Sequence, residues 1–380
     1  MVDSANVFRR ESVRSYVRAC SVGPALLLLA ACFGHSFPAA STFPFTSSSN
    51  DPLPANVAHV FVDANGTLYP SGWTAHLRPR RPWSAHSLLN ESDDEPAFRA
   101  LIEADEERQL DQIASFVQNR KRVFVLIHGY NNTVADTAEP YRLLEERIAP
   151  RADDAVIRFG WDGLTGQLVG AGTIWFKATG YSQLAGSRGL RRLLNRISDK
   201  DVYLIAHSRG ASVVLSALAN PVYDPGFLRA TREVAATWRG KYSLMTSPPP
   251  LQENGNRLHI LLLAPAVDRI DFCDQSEQPQ VSERYICRRL KDLSDQVRSF
   301  RYTINRRDPT LNKFVGLSGG FNPTGLGVRP EVGEVLRRER YQVMRAYVFE
   351  PAVRSHDFSM YAVHPTFGRM LADEGLTATD

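Results

Sequence analysis

The chain has 380 residues, of which 43% are hydrophobic and 23% are charged. These proportions predict a folded globular protein and exclude a chain that is disordered throughout. Its 45 basic residues against 41 acidic ones give a formal charge of +4, and the basic residues form no long block. The charge distribution therefore argues against a protein whose main partner is nucleic acid.

The N-terminal segment differs from the rest of the chain and predicts an export signal. Four arginines precede the apolar stretch 20–32, which is too short to cross a bilayer comfortably as a permanent helix. This stretch ends in LAAC, which resembles the bacterial lipobox, in which the cysteine is lipidated and becomes the first residue of the mature protein after cleavage. We therefore predict a signal over residues 1–32 and lipidation at Cys32, giving an exported lipoprotein anchored to a membrane of the bacterial cell envelope. The alternatives are a soluble periplasmic or secreted protein, cleaved near Ala39-Ala40, and a retained anchor.

Composition also divides the remaining chain. Residues 33–55 are rich in proline, serine and threonine, which predicts a flexible tether. No second linker of this kind follows, so we predict a single domain over residues 56–375. Two stretches inside this domain, near 163–183 and 221–257, are predicted to be cap-like insertions.

Two cysteines, Cys273 and Cys287, lie in a polar stretch of the domain. In an oxidising compartment they could form a disulfide, and the alternative is a pair of free cysteines without a role. No histidine lies nearby at ligand spacing, so metal binding is not favoured. We expect neither a metal nor a cofactor.

Segments typical of helices and of buried strands alternate along the domain. Helical periodicity over 96–119 is followed by apolar runs within KRVFVLIHGYNN, AVIRFGWDG, DVYLIAHS, LHILLLAPAVD, VRSFRYTINRRD and MRAYVFEP. Strands that are apolar on both faces and separated by helices predict a mostly parallel central sheet with helices on both faces. Ligands bind at the carboxyl ends of the strands in such sheets.

Ser208 lies at the point where one buried strand gives way to an apolar helix. Ala206 and Gly210 stand two positions away on either side, and small residues at these positions are typical of a nucleophile elbow. The following helix would point its N-terminal amides at charge that develops on a bound carbonyl oxygen. The alternative is a serine that only caps the helix.

A serine nucleophile needs a base, and the base needs an acid that orients it. His356 and His364 are the histidines that follow every candidate acid, and we favour His356 because it lies in a loop after the last predicted strand. Asp308 follows a strand directly and is the preferred acid, with Asp268 at the end of the preceding strand as its rival. We therefore predict a catalytic group of Ser208, His356 and Asp308.

The loop IHGYNNT predicts an oxyanion site. One donor would be the Arg209 amide, and the second would be the amide of Tyr130 or of Asn131. Gly129 would let this loop approach the serine closely. His128, Gly129, Asn131 and Trp161 are predicted to line a pocket, although His128 is better explained as a structural hydrogen-bonding residue. His207 is predicted to pack beside the elbow.

These motifs resemble those of a poorly characterised group of bacterial α/β hydrolases in the esterase/lipase superfamily. The resemblance covers roughly residues 120–370 and is carried by IHGYNNT, RFGWDG, YLIAHSRGA, LLLAPAVD, YTINRRDPTL and SHDFSMY. It implies the α/β-hydrolase fold, with Ser208 as nucleophile, Asp308 as acid and His356 as base.

Together these observations predict a serine hydrolase that cleaves a small-molecule carboxylic ester or thioester, including lipid-like esters. Two alternatives stay open at this point. One is an inactive hydrolase-fold protein that binds or scaffolds in the cell envelope, because a triad alone does not prove turnover. The other is a related enzyme such as an amidase, peptidase or acyltransferase.

Overall fold

The computed structural model describes most of the predicted domain and a short segment before it. The described residues are 33–38, 53–76, 88, 96–166, 171–224, 227–228, 248–278, 287–314 and 324–376. Cys32, with the rest of the predicted signal, and residues 229–247 of the second predicted insertion lie outside them.

Seven strands form one sheet in the order β2-β4-β3-β6-β7-β8-β9, and all neighbours are parallel. Its strands are β2 (Val57–Val62), β3 (Arg122–Ile127), β4 (Asp154–Trp161), β6 (Asp201–His207), β7 (Arg257–Leu263), β8 (Val297–Ile304) and β9 (Met344–Val348). A separate antiparallel pair joins β1 (Phe33–Gly34) to β5 (Thr165–Gly166). The parallel sheet predicted from the apolar runs is confirmed.

Helices connect the strands. They are α1 (Pro96–Gln118), α2 (Val134–Ile148), α3 (Ala171–Leu184), α4 (Arg191–Arg196), α5 (Gly210–Leu218), α6 (Pro309–Phe314), α7 (Pro330–Glu339), α8 (Phe358–Val363) and α9 (Pro365–Asp373). The central strands β3, β4 and β6 are buried along almost their whole length, since helices cover both faces. This explains why their sequences are continuous apolar runs rather than alternating patterns.

The first predicted insertion is mostly a connecting helix. α3 continues through one π-helical turn (Ala185–Leu190) into α4, so residues 171–196 form one helical segment between β5 and β6. The described side chains at the end of α3, including Ser182 and Leu184, are buried. The described part of this segment carries the chain back to the sheet, and a cap over 163–183 stays a prediction.

The first six described residues, 33–38, pack against the domain, and we call them the N-terminal strap. Their β1 pairs with β5, and the His35 Nδ1 lies 2.6 Å from an Asp162 carboxylate oxygen. The Ser36 amide donates to the other oxygen of Asp162 at 3.0 Å, and the Phe37 ring stacks on Trp73. This part of the predicted tether is thus held on the domain by backbone pairing, hydrogen bonds to Asp162 and aromatic packing.

A disulfide joins Cys273 to Cys287. It closes a segment that begins after the short 3₁₀ helix Arg269–Phe272, and an antiparallel bridge between Cys273 and Leu290 holds the same two chain segments together. Of the alternatives that the sequence left open, the structure has the bonded form. Within the described part of the chain, no helix has both the length and the apolar character needed to cross a membrane.

Candidate active site

Ser208 occupies a tight turn between β6 and α5. Its φ of 53° is in the left-handed region, which a non-glycine residue adopts only when surrounding bonds hold it there. The Ser208 amide donates to Leu263 O, and its carbonyl accepts from the Ala266 amide. A side chain at Gly210 would place its Cβ 2.6 Å from His128 O. The small residue predicted at this position is therefore required by the close approach of two loops.

The structure brings Ser208, His356 and Asp308 into one hydrogen-bonded chain. Ser208 Oγ lies 2.8 Å from His356 Nε2, and His356 Nδ1 lies 2.7 Å from Asp308 Oδ2. A carboxylate can only accept here, so the His356 Nδ1–H donates to Asp308. His356 Nε2 is then left with its lone pair facing the serine hydroxyl. This is the arrangement in which an imidazole can take the hydroxyl proton.

Asp308 is completely buried, and each of its oxygens has two partners. Oδ1 accepts from the amides of Thr310 and Leu311 at the start of α6, at 3.0 and 2.9 Å. Oδ2 accepts from His356 and also from the hydroxyl of Tyr361, at 2.8 Å. The carboxylate is therefore oriented by a helix start on one side and by two side chains on the other.

Tyr361 is a site residue that sequence reasoning missed. Its hydroxyl donates to Asp308 and accepts from the Asn305 side-chain amide at 3.0 Å. Burial raises the pKa of Tyr361, and the nearby Asp308 raises it further, so the phenol keeps its proton and remains a donor. Its place five residues after His356, within the short helix α8, was the available signal.

Asp268 and His364, the alternative acid and base, make other contacts. Asp268 follows β7 and accepts from the amides of Arg269 and Gly325, at 2.6 and 2.9 Å, so it caps a 3₁₀ turn. His364 caps α9 by accepting from the Thr366 amide and stacks on a phenylalanine ring. Among the candidate acids and bases, Asp308 and His356 are the ones that meet at Ser208.

Gly129 lies directly against the serine. A Cβ added at Gly129 would stand 2.7 Å from Ser208 Cβ, so the loop after β3 approaches the elbow as closely as predicted. The Asn131 amide donates to Gly163 O at 3.0 Å and is therefore part of the scaffold. The amides of Arg209 and Tyr130 remain the predicted oxyanion donors.

His128 and Trp161 form a buried support beneath this loop rather than a pocket wall. The His128 Nδ1–H donates to Gly129 O at 2.7 Å, and its Nε2 accepts from the Trp161 amide at 3.1 Å. The Trp161 indole donates back to His128 O, and the two rings stack. Burial lowers the pKa of His128 to about 4, which keeps the ring neutral. Packing and hydrogen bonds use both side chains, and neither residue lines the cavity described next.

A cavity of about 450 Å³ opens beside His356. Its lining residues are Tyr130, Asn131, Asn132, Asp136, Glu139, Pro140, His207, Thr310, His356, Asp357, Phe358 and Ser359. Asn131 was predicted in this role, whereas Gly129 lies behind the lining. The His207 ring stacks on Phe358 with centroids 4.5 Å apart, and burial lowers its pKa well below the usual value. The cavity gives a substrate group a place next to the candidate base.

The Arg209 side chain points into the protein interior and stabilises the turn at Ser208. Its guanidinium is buried, donates to Ala266 O at 2.7 Å and pairs with Asp271 at 3.0 Å. A fully paired, buried guanidinium cannot recognise a charged group in the cavity. Within the described residues no cluster of three or more histidine, cysteine, aspartate or glutamate side chains could hold a metal ion.

Comparison with known families agrees with this architecture. Residues 103–284 match the model of a family described as alpha/beta hydrolase of unknown function, DUF900. The chain has the α/β-hydrolase fold. The matched part includes Ser208 and the loop of Gly129 but ends before Asp308 and His356. No curated protein matches the chain.

Proposed function

We propose that this protein is a serine hydrolase that cleaves a carboxylic ester or thioester through an acyl-enzyme on Ser208. The observation that carries the proposal is the unbroken hydrogen-bonded chain from Ser208 Oγ through His356 to Asp308. The left-handed turn at Ser208 and the cavity beside His356 support it.

In the first half of the reaction, His356 Nε2 takes the Ser208 proton while Oγ bonds to the carbonyl carbon of the substrate. Negative charge develops on the carbonyl oxygen, where the Arg209 and Tyr130 amides are proposed to donate. The tetrahedral species collapses, the bond to the leaving alkoxide or thiolate breaks, and His356 returns the proton to it. The acyl group stays on Ser208.

In the second half, His356 takes a proton from water, and the resulting hydroxide attacks the acyl carbon. Ser208 Oγ leaves and recovers its proton from His356, which releases the carboxylic acid. Asp308 holds the imidazole in the required tautomer and stabilises the imidazolium that forms in each half. Tyr361 and the α6 amides keep Asp308 in place.

We further propose that the protein is exported and anchored in the bacterial cell envelope through a lipid on Cys32. The lipobox-like LAAC supports this, and so does the disulfide between Cys273 and Cys287, because structural disulfides persist in oxidising compartments. The proposed substrate is a small-molecule or lipid-like ester.

Labelling with a fluorophosphonate probe tests the catalytic proposal. We expect the wild-type protein to be labelled and Ser208→Ala to be unlabelled. On a series of p-nitrophenyl esters of increasing acyl length, Ser208→Ala should lower kcat/KM by at least roughly 10³-fold. Ser115→Ala, the same substitution on exposed α1, serves as the matched control. An unlabelled wild-type protein would point instead to a binding or scaffold role, and labelling of Ser208→Ala would show that another residue is the nucleophile.

A further inference from the structure

The carboxyl edge of the sheet carries the N-terminal strap as well as the candidate active site. β1 pairs with β5 just after β4, and His35 and Ser36 bond to Asp162, the first residue after that strand. Gly163 follows at once and lies against the loop of Gly129, since an added Cβ would be 3.0 Å from Gly129 O. The part of the strap that bonds to Asp162 therefore lies beside the proposed oxyanion loop.

This position constrains a lipid attached to Cys32. Cys32 directly precedes Phe33, so a single peptide unit of about 3.8 Å separates it from the paired backbone of β1. A docked strap leaves no tether between the proposed lipid and the domain. The bilayer must then lie against the carboxyl edge of the sheet, where the strap begins at Phe33.

Exposed apolar side chains lie on the same edge. Val348, 40% exposed, is the last residue of β9 and therefore lies at the carboxyl end of that strand. Met360 and Val363 are 40% and 46% exposed and lie one turn apart on α8, the helix that begins just after His356. The other large exposed apolar residue of the described chain, Val343, precedes β9 and so lies at the opposite edge.

Sheet order places the candidate site between these two features. β4, next to the strap, and β9 are five strand spacings apart, which corresponds to roughly 24 Å. Ser208 follows β6, between them. A flat surface that touched the strap and the apolar side chains of α8 would span the mouth of the site.

We propose that the carboxyl edge of the sheet rests on the lipid bilayer that holds the Cys32 anchor, with the strap on one side of the site and Val348, Met360 and Val363 on the other. The inference needs the proposed anchor but not ester hydrolysis. The exposed charges that follow β8 and β9 are mixed: Arg306, Arg307 and Arg354 are basic, and Glu350 and Asp357 are acidic. The contact should therefore form on neutral phosphatidylcholine as well as on anionic lipid.

A fluorescent label tests the orientation without any assay of activity. Val363→Cys and the matched control Val343→Cys have similar exposure at opposite edges, and Cys273 and Cys287 are already paired. Each mature lipidated variant, which begins at Cys32, is labelled with an environment-sensitive dye and placed in phosphatidylcholine vesicles with or without spin-labelled lipid. We expect the spin label to quench the dye at 363 at least roughly threefold more than at 343.

Three results would overturn the proposal. The first is equal quenching at the two positions. The second is quenching at 363 that depends on protein concentration rather than on lipid, which would indicate a second copy on this face. The third is that the protein with Cys32 incorporates no more radioactive fatty acid than Cys32→Ala.

A second measurement links the surface to substrate. Met360→Ser combined with Val363→Ser should lower hydrolysis of a long-chain ester embedded in vesicles by about tenfold, because less apolar surface contacts the lipid. Hydrolysis of a water-soluble short-chain ester should change less than about twofold, as should both activities in Val343→Ser. Equal loss on both substrates would contradict the proposed contact. A protein that cleaves neither ester would contradict the proposed function, and the fluorescence measurement would still decide the orientation.

Discussion

Two histidines lie on either side of Ser208. His128 is buried and bonded to Trp161, whereas His356 lines a cavity. Each imidazole makes two hydrogen bonds. The partners of His128 are backbone groups, which fix a neutral ring in place. The partners of His356 are a carboxylate and a hydroxyl, which is the arrangement that the proposed proton transfer requires. The same residue type thus supports a loop on one side of Ser208 and serves as the proposed base on the other.

The largest loss of activity should come from replacing Asp308, the proposed acid on the His356 side of Ser208. Asp308→Asn is expected to lower kcat/KM for a p-nitrophenyl ester by roughly 10³-fold or more, because an amide facing His356 Nδ1 favours the wrong tautomer. Asp268→Asn is the matched control, since Asp268 also follows a strand but bonds to backbone amides. It should change kcat/KM less than about threefold. The reverse order of the two effects would show that the acid is misassigned.

On the scaffold side, Gly129→Ala should cost roughly 10²-fold in kcat. The new methyl would stand 2.7 Å from Ser208 Cβ and would displace the serine or the loop from its reactive position. Gly368→Ala is a suitable control, because there the methyl meets only the flexible end of Arg147. Steady-state kinetics and thermal unfolding of both variants separate misplacement from unfolding. Unchanged kcat in Gly129→Ala would mean that this close approach has no catalytic role.

Removing the Tyr361 hydroxyl should lower kcat by a smaller factor, because Asp308 keeps its other partners. Tyr361→Phe leaves Asp308 with His356 and two amides, so we expect about a tenfold loss of kcat with little change in KM. Tyr341→Phe removes a buried hydroxyl that donates to Lys291 O and controls for lost stability. A loss of the same size in both variants would reduce Tyr361 to a packing residue.

The smallest expected effect concerns the pH dependence of stability. Burial lowers the pKa of His128 from its usual 6.5 to about 4, so between these values the unfolded chain binds a proton that the folded chain does not. Stability should therefore fall as pH decreases from about 6.5 to about 4, by on the order of 2 kcal/mol from this residue. His128→Gln keeps a donor and an acceptor without titrating. Urea unfolding at several pH values should give a flatter profile for the variant, and parallel profiles would contradict the assignment.

Sequence reasoning predicted the parallel sheet and the Ser208 turn because both follow from local patterns. Apolar runs mark strands buried on two faces, and small residues mark a turn with no space for a side chain. It could only rank Asp308 above Asp268, because each follows a strand and caps a turn. What distinguishes them is the loop of His356, which comes from about fifty residues further along the chain.

The remaining differences also depend on contacts between distant segments. The composition of residues 33–55 is typical of a tether, but six of them are held by pairing with β5 and by Asp162. Trp161 at a strand end could equally face a cavity or the core, and the stack on His128 decides for the core. Tyr361 gave no sign of its partner, because its hydroxyl meets an aspartate that sequence alone places in another loop.

The bond between His35 and Asp162 has a practical consequence for anyone who shortens this protein. A version that starts at residue 56, where the domain was predicted to begin, would remove two of the donors around a fully buried carboxylate and leave the amide of Leu164. An ionised group without its partners in such a place is costly. Material for crystallisation or assay should retain everything from Phe33 onward.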